Sequence, residues 1–508
     1  MRLNVAILAV SAAMASAAGS HAGQPGYRVH GVTAYDVSQL LNFAHAHVHL
    51  ADGYTAPDRL ADAIELVYRE DGYFLAEADA VQDSAGNTIV TVDEGRIDSV
   101  VVEGVDALVH ARIEIYVRPL IYKPGITQAE FERVLMLIND LAGITAVAEF
   151  EYPNPGSGAR LVITARQMEQ AGSATIDNPP RDLGRGESFQ VTQEFFSLFT
   201  GGDVLRLQGS ATYHFGHDGD GQSYSGSAYY RAPVCAYGSY GEIYGGTTIG
   251  RRDASGSYVS TELNGKEAGI VIGHPFVRDI HNYAYGLIEA RHSSVESSGG
   301  GVTFQSGVNA VSAMALFGVD DEEGAPIRAG IIGTAGWRSG SVSSGQDDGD
   351  NDYFHLRLSF GTSQPLTTLD ENFSFRLEAF AQYTHDRLPA VEEFYLGSRY
   401  LLRGYGASEA AGDSGAIGTF ELNYAWPEPV SLFSQFNTYA FLDAGIAVNN
   451  QPGVFETGQV SLFSAGAGLR ARLEGDLLVN AYVGVPILDG PNTEKFDPGF
   501  YLGVTKQW

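Results

Sequence analysis

From about residue 185 to Trp508 the chain keeps one habit: short segments of alternating apolar and polar residues, separated by Gly, Asp, Asn and Ser. "FSFRLEAFAQYT" sets Phe373, Phe375, Leu377, Ala379, Ala381 and Tyr383 on one side, with Ser374, Arg376, Glu378, Phe380 and Gln382 on the other. "TFELNYAW" sets Phe420, Leu422, Tyr424 and Trp426 against Glu421 and Asn423. "HLRLSFG" sets Leu356, Leu358 and Phe360 against His355, Arg357 and Ser359, and "SLFSAGAGLRARLEG" sets Phe463, Leu469 and Leu473 against Ser464, Arg470, Arg472 and Glu474. Period two marks strands with one wet and one apolar face. Roughly 320 residues of it exceed the ~100 of a typical sandwich and, at about 20 per strand and connection, give on the order of 16 strands in one barrel.

Alternation alone does not say whether the apolar face meets a core or lipid. Two further features favour lipid. The opening "MRLNVAILAVSAAMASAAGSHAG" reads as a signal peptide at 1–17, with Arg2, a short apolar core and an A-x-A site. The end, "GFYLGVTKQW", puts Phe500, Leu502, Val504, Lys506 and Trp508 on one face, the pattern of a terminal barrel strand presented to barrel-assembly machinery; Lys506 can snorkel to an interface. No apolar run reaches the ~18 residues of a membrane helix.

The first third has a different grammar. "APDRLADAIELVYREDGY" is helical, with Leu60, Ile64, Val67 and Tyr68 on one face, Pro57 at its start and Gly72 at its stop. Two strand-like runs follow, split at Glu94-Gly95. The order recurs: "TQAEFERVLMLINDLAG" places Phe131, Val134, Leu135 and Ile138 together, and "ARLVITAR" closes as a strand. Two α+β modules are expected, at 27–103 and 104–168, then a linker at 169–184 broken by Pro179-Pro180, then the barrel at 185–508.

A net charge of −30 argues against nucleic acid as a partner. The one cysteine, Cys235, permits no internal disulfide and sits in a strand-like stretch, "APVCAYGSY". Nucleophile-elbow, zinc-protease and phosphate-loop motifs are missing, so no catalytic residue and no cofactor is expected. His45, His47 and His49 fall at the end of a helix that scatters their rings. Asp347, Asp348, Asp350 and Asp352 read as a solvated outer loop, with calcium or lipopolysaccharide-bridging ions the alternative. No metal site is assigned.

One stretch fits neither strand nor water-facing loop: "EEFYLGSRYLLRGYGASEAAGDSG" packs Phe394, Tyr395, Leu396, Tyr400, Leu401, Leu402 and Tyr405 around Arg403 and Gly404. Such a segment, near 389–418, is expected to fold into the barrel lumen. Parity along "NTYAFLDAG" puts Asn437, Tyr439, Phe441, Asp443 and Gly445 on one side; a carboxylate facing lipid is costly, so this side is the lumen. Glu378, Glu421, Arg470 and Arg472 are further lumen-facing candidates. Gly404 and Gly406 would supply the tight backbone that the tip of such a loop needs.

These motifs resemble the outer-membrane transporters of two-partner secretion, the haemolysin and filamentous-haemagglutinin exporters. "LRGY" (402–405) is similar to the V-R-G-Y/F signature of their superfamily. "FLDAG" (441–445) resembles its F-x-D-x-G strand, and "GAGLRARL" (from 466) its glycine-rich strand. "YREDGYFLAEADAVQD", "VDEGRIDSVVVEG" and "KPGITQAEFERVLMLINDLAGI" resemble its polypeptide-transport-associated (POTRA) modules. The resemblance implies α+β POTRA modules in the periplasm followed by a transmembrane antiparallel barrel of about 16 strands in the bacterial outer membrane. It implies a latch of Arg403, Gly404 and Tyr405 on Asp443, and a large secreted β-rich exoprotein as partner, with outer-membrane lipid, lipopolysaccharide and the assembly machinery as surroundings. No counterpart of the plug helix of some members is expected between the cleavage site and "YRVHGV". The alternative within the superfamily is a barrel-assembly factor; a plain porin or adhesin explains neither the modules nor the LRGY loop.

Overall fold

The computed structural model describes residues 27–47, 56–153, 157–178, 186–214, 220–253, 260–320, 325–339, 349–427, 433–452 and 457–508. The expected signal peptide, His49, Pro179-Pro180, Asp347 and Asp348 lie outside them. The chain divides into two units: residues up to 96 with 122–128, and 97–121 with 129–508.

In the first unit, β1 (Tyr27–His30), α1 (Val37–His47), α2 (Pro57–Glu70), β2 (Glu77–Gln82) and β3 (Thr88–Asp93) form a small α/β module. Its sheet runs β1-β3-β2, β1 parallel and β2 antiparallel to β3. Pro57 opens α2 because the first turn needs no amide donor there. Leu60, Ile64, Val67 and Tyr68 then pack on Leu40, Val90 and Val92. Glu94 ties this module shut. It is nearly fully buried, and accepts from the amides of Thr33 (2.6 Å) and Ala34 (2.8 Å), from the Thr33 hydroxyl and from the Tyr68 hydroxyl (2.7 Å). Burial opposes its charge, but the Thr33, Ala34 and Tyr68 donors outweigh that and hold the carboxyl below its usual range. Such a group contributes stability above the unfolded carboxyl pKa of about 4.3, and loses it as pH falls through the lowered folded value. Glu94→Gln is expected to cost about 1–3 kcal/mol at neutral pH and to flatten acid unfolding of this module, read by near-UV circular dichroism of the Tyr35–Tyr68–Tyr73 cluster.

In the second unit, β4 (Ile97–Glu103), α3 (Ala107–Val117), α4 (Gln128–Asn139), β5 (Ile144–Glu151) and β6 (Ala159–Gln167) build a module of the same kind, with sheet order β4-β6-β5. The Asp106 side chain caps α3 by accepting from the Leu108 and Val109 amides. The first module therefore ends near 96 and not 103: the run "IDSVVVE" pairs in parallel with β6.

Sixteen described strands then close a barrel. They are β7 (Gln170–Asp177), β8 (Gly186–Phe196), β9 (Val204–His214), β10 (Gly221–Pro233), β11 (Tyr240–Arg252), β12 (Thr261–Arg278), β13 (Asn282–Gly299), β14 (Val302–Asp320), β15 (Pro326–Arg338), β16 (Asp352–Pro365) and β17 (Phe373–Tyr383). Past the short hairpin β18 (Phe394–Leu396) and β19 (Ala410–Gly412) come β20 (Ser414–Ala425), β21 (Phe433–Val448), β22 (Gln459–Leu473), β23 (Leu477–Pro486) and β24 (Gly499–Gln507). All neighbours are antiparallel, and β24 closes on β7 from Gly503–Asp177 to Gln507–Ser173. The expected linker at 169–184 thus contains the first barrel strand. Cys235 sits in the turn between β10 and β11, not in a strand.

The outer face carries Ile270, Ile272, Ile288, Phe317, Leu442, Phe500 and Leu502, all exposed on the isolated chain. Their strand neighbours Val271, Tyr501 and Phe441 point inward and are buried. An apolar belt outside and a filled polar interior is the arrangement a bilayer demands. The second module sits against the turns at one end of this barrel: Arg133 Nη2 donates to Pro275 O (2.6 Å), while Asp140 accepts from Arg278 (2.9 and 2.8 Å) and the Tyr285 hydroxyl (2.7 Å).

Candidate functional site: the inward loop and its anchors

The connection from β17 to β20 lies inside the cylinder. Leu396, Leu402 and Tyr405 are wholly buried and pack with Ile417, Ala447 and Leu462 on the inner wall. In water these side chains would be exposed; folding inward removes them from it, which favours this position without any specific contact. Polar contacts then fix the register.

At the tip, Arg403 meets Asp443 three times: its amide and Nε both donate to Oδ2 at 2.9 Å, and Nη2 donates to Oδ1 at 2.7 Å. Nη2 also donates to the Thr419 hydroxyl (2.7 Å), which itself donates to Asp443 Oδ1 (2.5 Å), and Nη1 reaches Glu421 Oε1 (2.5 Å). Glu421 is shared with Arg470, whose two terminal nitrogens lie 3.0 Å from its oxygens. The guanidinium of Arg403 lies 3.6 Å from the Phe441 ring centroid, and that of Arg470 3.9 Å from Tyr439's. Two cations and two carboxylates alternate, each hydrogen-bonded, so the burial of so much charge is compensated. The aromatic faces add cation–π attraction.

The backbone makes this approach possible. Gly404 has φ +98°, and a Cβ there would meet Gly484 backbone at 2.7 Å; a Cβ on Gly484 would meet Arg403 C at the same distance. Buried Leu402 adopts a left-handed φ of 56°, a conformation that costs on the order of 1 kcal/mol or more and is held by the contacts on either side. Gly406, expected to share the tight backbone, has no positive φ. Gly484→Ala is therefore expected to push the tip off the wall, exposing the loop to added protease. Gly361→Ala, whose new Cβ meets nothing closer than 4.0 Å, is expected to leave it protected.

Of the residues anticipated from sequence, Arg403, Asp443, Glu421 and Arg470 form one network, flanked by Gly404. Tyr405 contributes separately: its hydroxyl accepts from the Phe463 amide (3.2 Å) and lies 2.9 and 2.8 Å from the carbonyls of Phe463 and Leu488. Glu378 and Arg472 share the inner face by strand pairing but stand outside the network. Glu378 accepts from Arg376, and Arg472 donates to Asp476 (3.2 Å).

Three anchors escaped the sequence reading. Glu392, fully buried, takes two bonds from Arg291 Nη2 (2.6 and 2.7 Å), one from the Tyr353 hydroxyl (3.0 Å) and a contact with His355 Nε2 (3.1 Å). Its carbonyl accepts from Arg357 (3.1 Å) and Gln382 (3.0 Å). Arg399, four residues before the tip, pairs with Asp177 on β7, which also accepts from the Tyr501 hydroxyl at 3.0 Å. Glu409 accepts from the Asn492 amide (2.7 Å) and the Thr493 hydroxyl (2.8 Å). The adjacent glutamates 392–393 and the second arginine were the signals; their partners lie too far along the chain to be read from sequence.

Comparison with known proteins agrees with this geometry. Residues 293–471, which span the loop and most of its wall, match the sequence model of the haemolysin secretion/activation proteins ShlB/FhaC/HecB. Among solved structures, CdiB from Escherichia coli superposes with a TM-score of 0.75 at 18% identity, covering 95% of this chain and 90% of that one. CdiB from Acinetobacter baumannii gives 0.71 at 16% identity, covering 95% and 89%. BamA from Haemophilus ducreyi lacking POTRA domains 1-3 gives 0.53 at 15%, covering 95% and 99%. No curated protein matches the chain.

Proposed function

We propose that this chain, which belongs over residues 293–471 to the ShlB/FhaC/HecB family of two-partner secretion transporters, carries an unfolded exoprotein from the periplasm through its lumen to the cell surface. The barrel sits in the bacterial outer membrane, its apolar belt in lipid. The observation that carries the transport reading is the loop itself. A closed barrel needs no inward segment to be stable, yet here one is held at Arg403, Glu392, Arg399 and Glu409 against four parts of the wall. Such a loop sets which part of the lumen is filled and which is open.

The modules would receive the exoprotein. Each has a three-stranded sheet in which an outer strand, β2 in the first and β5 in the second, pairs on one side only among the described residues. Val81 on β2 and Val147 on β5 are exposed, so an incoming strand would find unpaired backbone groups beside apolar side chains. Arg403 and Asp443 act as latch and catch, fixing the loop while the chain passes. The export step needs no nucleotide: folding outside removes the segment from exchange and biases the direction.

Co-expression with the product of the adjacent open reading frame, followed by assay of the culture supernatant, tests the proposal. Export is expected only with the transporter present. A client that accumulates in the outer membrane instead would favour a barrel-assembly role.

A further inference from the structure

Three inner cavities touch the loop; beside the one at Tyr400, Arg470 and Arg472, two have opposite chemistry. One, of about 470 Å³, lies among Ile332, Phe380, Phe394, Leu401 and Ile417. The other, of about 430 Å³, lies between Val391 and strands β10–β13, lined by Ser225, Ser227, Gly246, Thr248, Gly265 and Ser293. Strand pairing extends the second surface into a band: Gln190, Ser210, Ser225, Thr248 and Gly265 stand opposite one another, and beside them Thr192, Gln208, Ser227, Gly246 and Glu267. Across the barrel, by contrast, the wall around Asp443, Phe441, Leu462 and Ser464 is covered by the loop and buried.

We propose that the inner face of β10–β13 is the surface along which the exported polypeptide slides, in extended form, its backbone meeting serine and threonine hydroxyls. This rests on the transport reading above and adds to it the path and the contact chemistry. Hydroxyls rotate to donate or accept, so they serve any backbone amide or carbonyl that arrives. Each such bond merely exchanges with one to water, at little net gain, so no residue of the passenger is held. The glycines and serines that line this cavity offer almost no apolar surface on which a side chain could be held. The apolar cavity would behave differently, since burying one Leu or Phe there removes apolar surface from water and would stall transit. The charges nearest the polar band are already engaged or few: Arg291 is bound by Glu392, and Glu267 is the carboxylate within it. The Glu392 anchor adjoins Val391, so it also fixes where the loop ends and the passage begins.

The test places a photo-crosslinking amino acid at Ser225, Thr248 or Ile332 of the full chain. The probe is the exported protein identified by the co-expression above, stalled in transit by a C-terminal fusion to a folded, disulfide-bonded domain. Adducts are expected at Ser225 and Thr248 and not at Ile332. Adducts at Ile332 alone, or equally at all three, overturn the path. Adducts nowhere, while the unfused protein still reaches the medium, overturn the path and leave transport standing; no export even by the wild-type chain sinks both. As a second measure, Gly265→Trp places bulk where a Cβ finds no neighbour within 3.7 Å; loss of export is expected with normal barrel assembly. Thr247→Trp, on the outer face of β11, is expected to export normally. Undiminished export by Gly265→Trp contradicts the proposal.

Discussion

Arg403→Ala is expected to leave the barrel assembled in the outer membrane and to cut export of its partner on the order of a hundredfold or more. Removing the guanidinium strands Asp443 and Glu421, 0% and 3% exposed, beside one remaining cation, Arg470, which bonds Glu421 and not Asp443. Breaking a buried pair in this way costs about 3–5 kcal/mol, and each 1.4 kcal/mol is a factor of about ten in the population of the held state. The barrel itself rests on its closed hydrogen-bonded ladder and apolar belt, which the substitution does not touch. Heat-modifiable electrophoretic mobility reports assembly and the culture supernatant reports export. Arg403→Lys is expected to recover little, because a point charge cannot reproduce the fork that reaches Asp443, Thr419 and Glu421 together. Unchanged export by Arg403→Ala would remove the latch role.

The second large effect is expected at Glu392. Its carboxylate is the counter-charge for Arg291 and the acceptor for Tyr353, and it touches Nε2 of His355, whose Nδ1 has no hydrogen-bond partner among the described residues. Glu392→Ala leaves those donors without their shared acceptor, and the start of the loop loses its tie to β13 and keeps only the backbone contacts from Arg357 and Gln382. Export is expected to fall as it does for Arg403→Ala. The double variant is expected to be scarcely worse than either single one, because both act by releasing the same loop. Glu392→Gln keeps the shape but not the charge and is expected to be intermediate. Strictly additive losses would show that the two anchors serve different purposes.

Much of the architecture was legible because its signals are local. Period-two alternation marked the barrel strands, Pro57 and Gly72 bracketed α2, and the Arg403 and Asp443 motifs each occupy a handful of consecutive residues. What escaped depends on distant partners. β7, "QAGSATID", shows little apolar alternation and earns its place only by pairing with β8 and β24. The run 97–103 looks like the second half of a hairpin after Glu94-Gly95, but it crosses to pair in parallel with β6. Glu392 finds Arg291 a hundred residues upstream, and Arg399 finds Asp177 more than two hundred away. The serine-and-glycine wall carries almost no hydropathy signal, and its position opposite the loop emerges only when the cylinder closes.

The placement of the loop is open to one direct measurement: solid-state magnetic resonance on the full chain in lipid bilayers, with nitrogen-labelled arginine and carbon-labelled aspartate. A through-space contact between the Arg403 guanidinium and the Asp443 carboxylate is expected, and it should vanish in Asp443→Ala. A guanidinium at Arg403 that exchanges freely with water and shows no carboxylate contact would contradict the account.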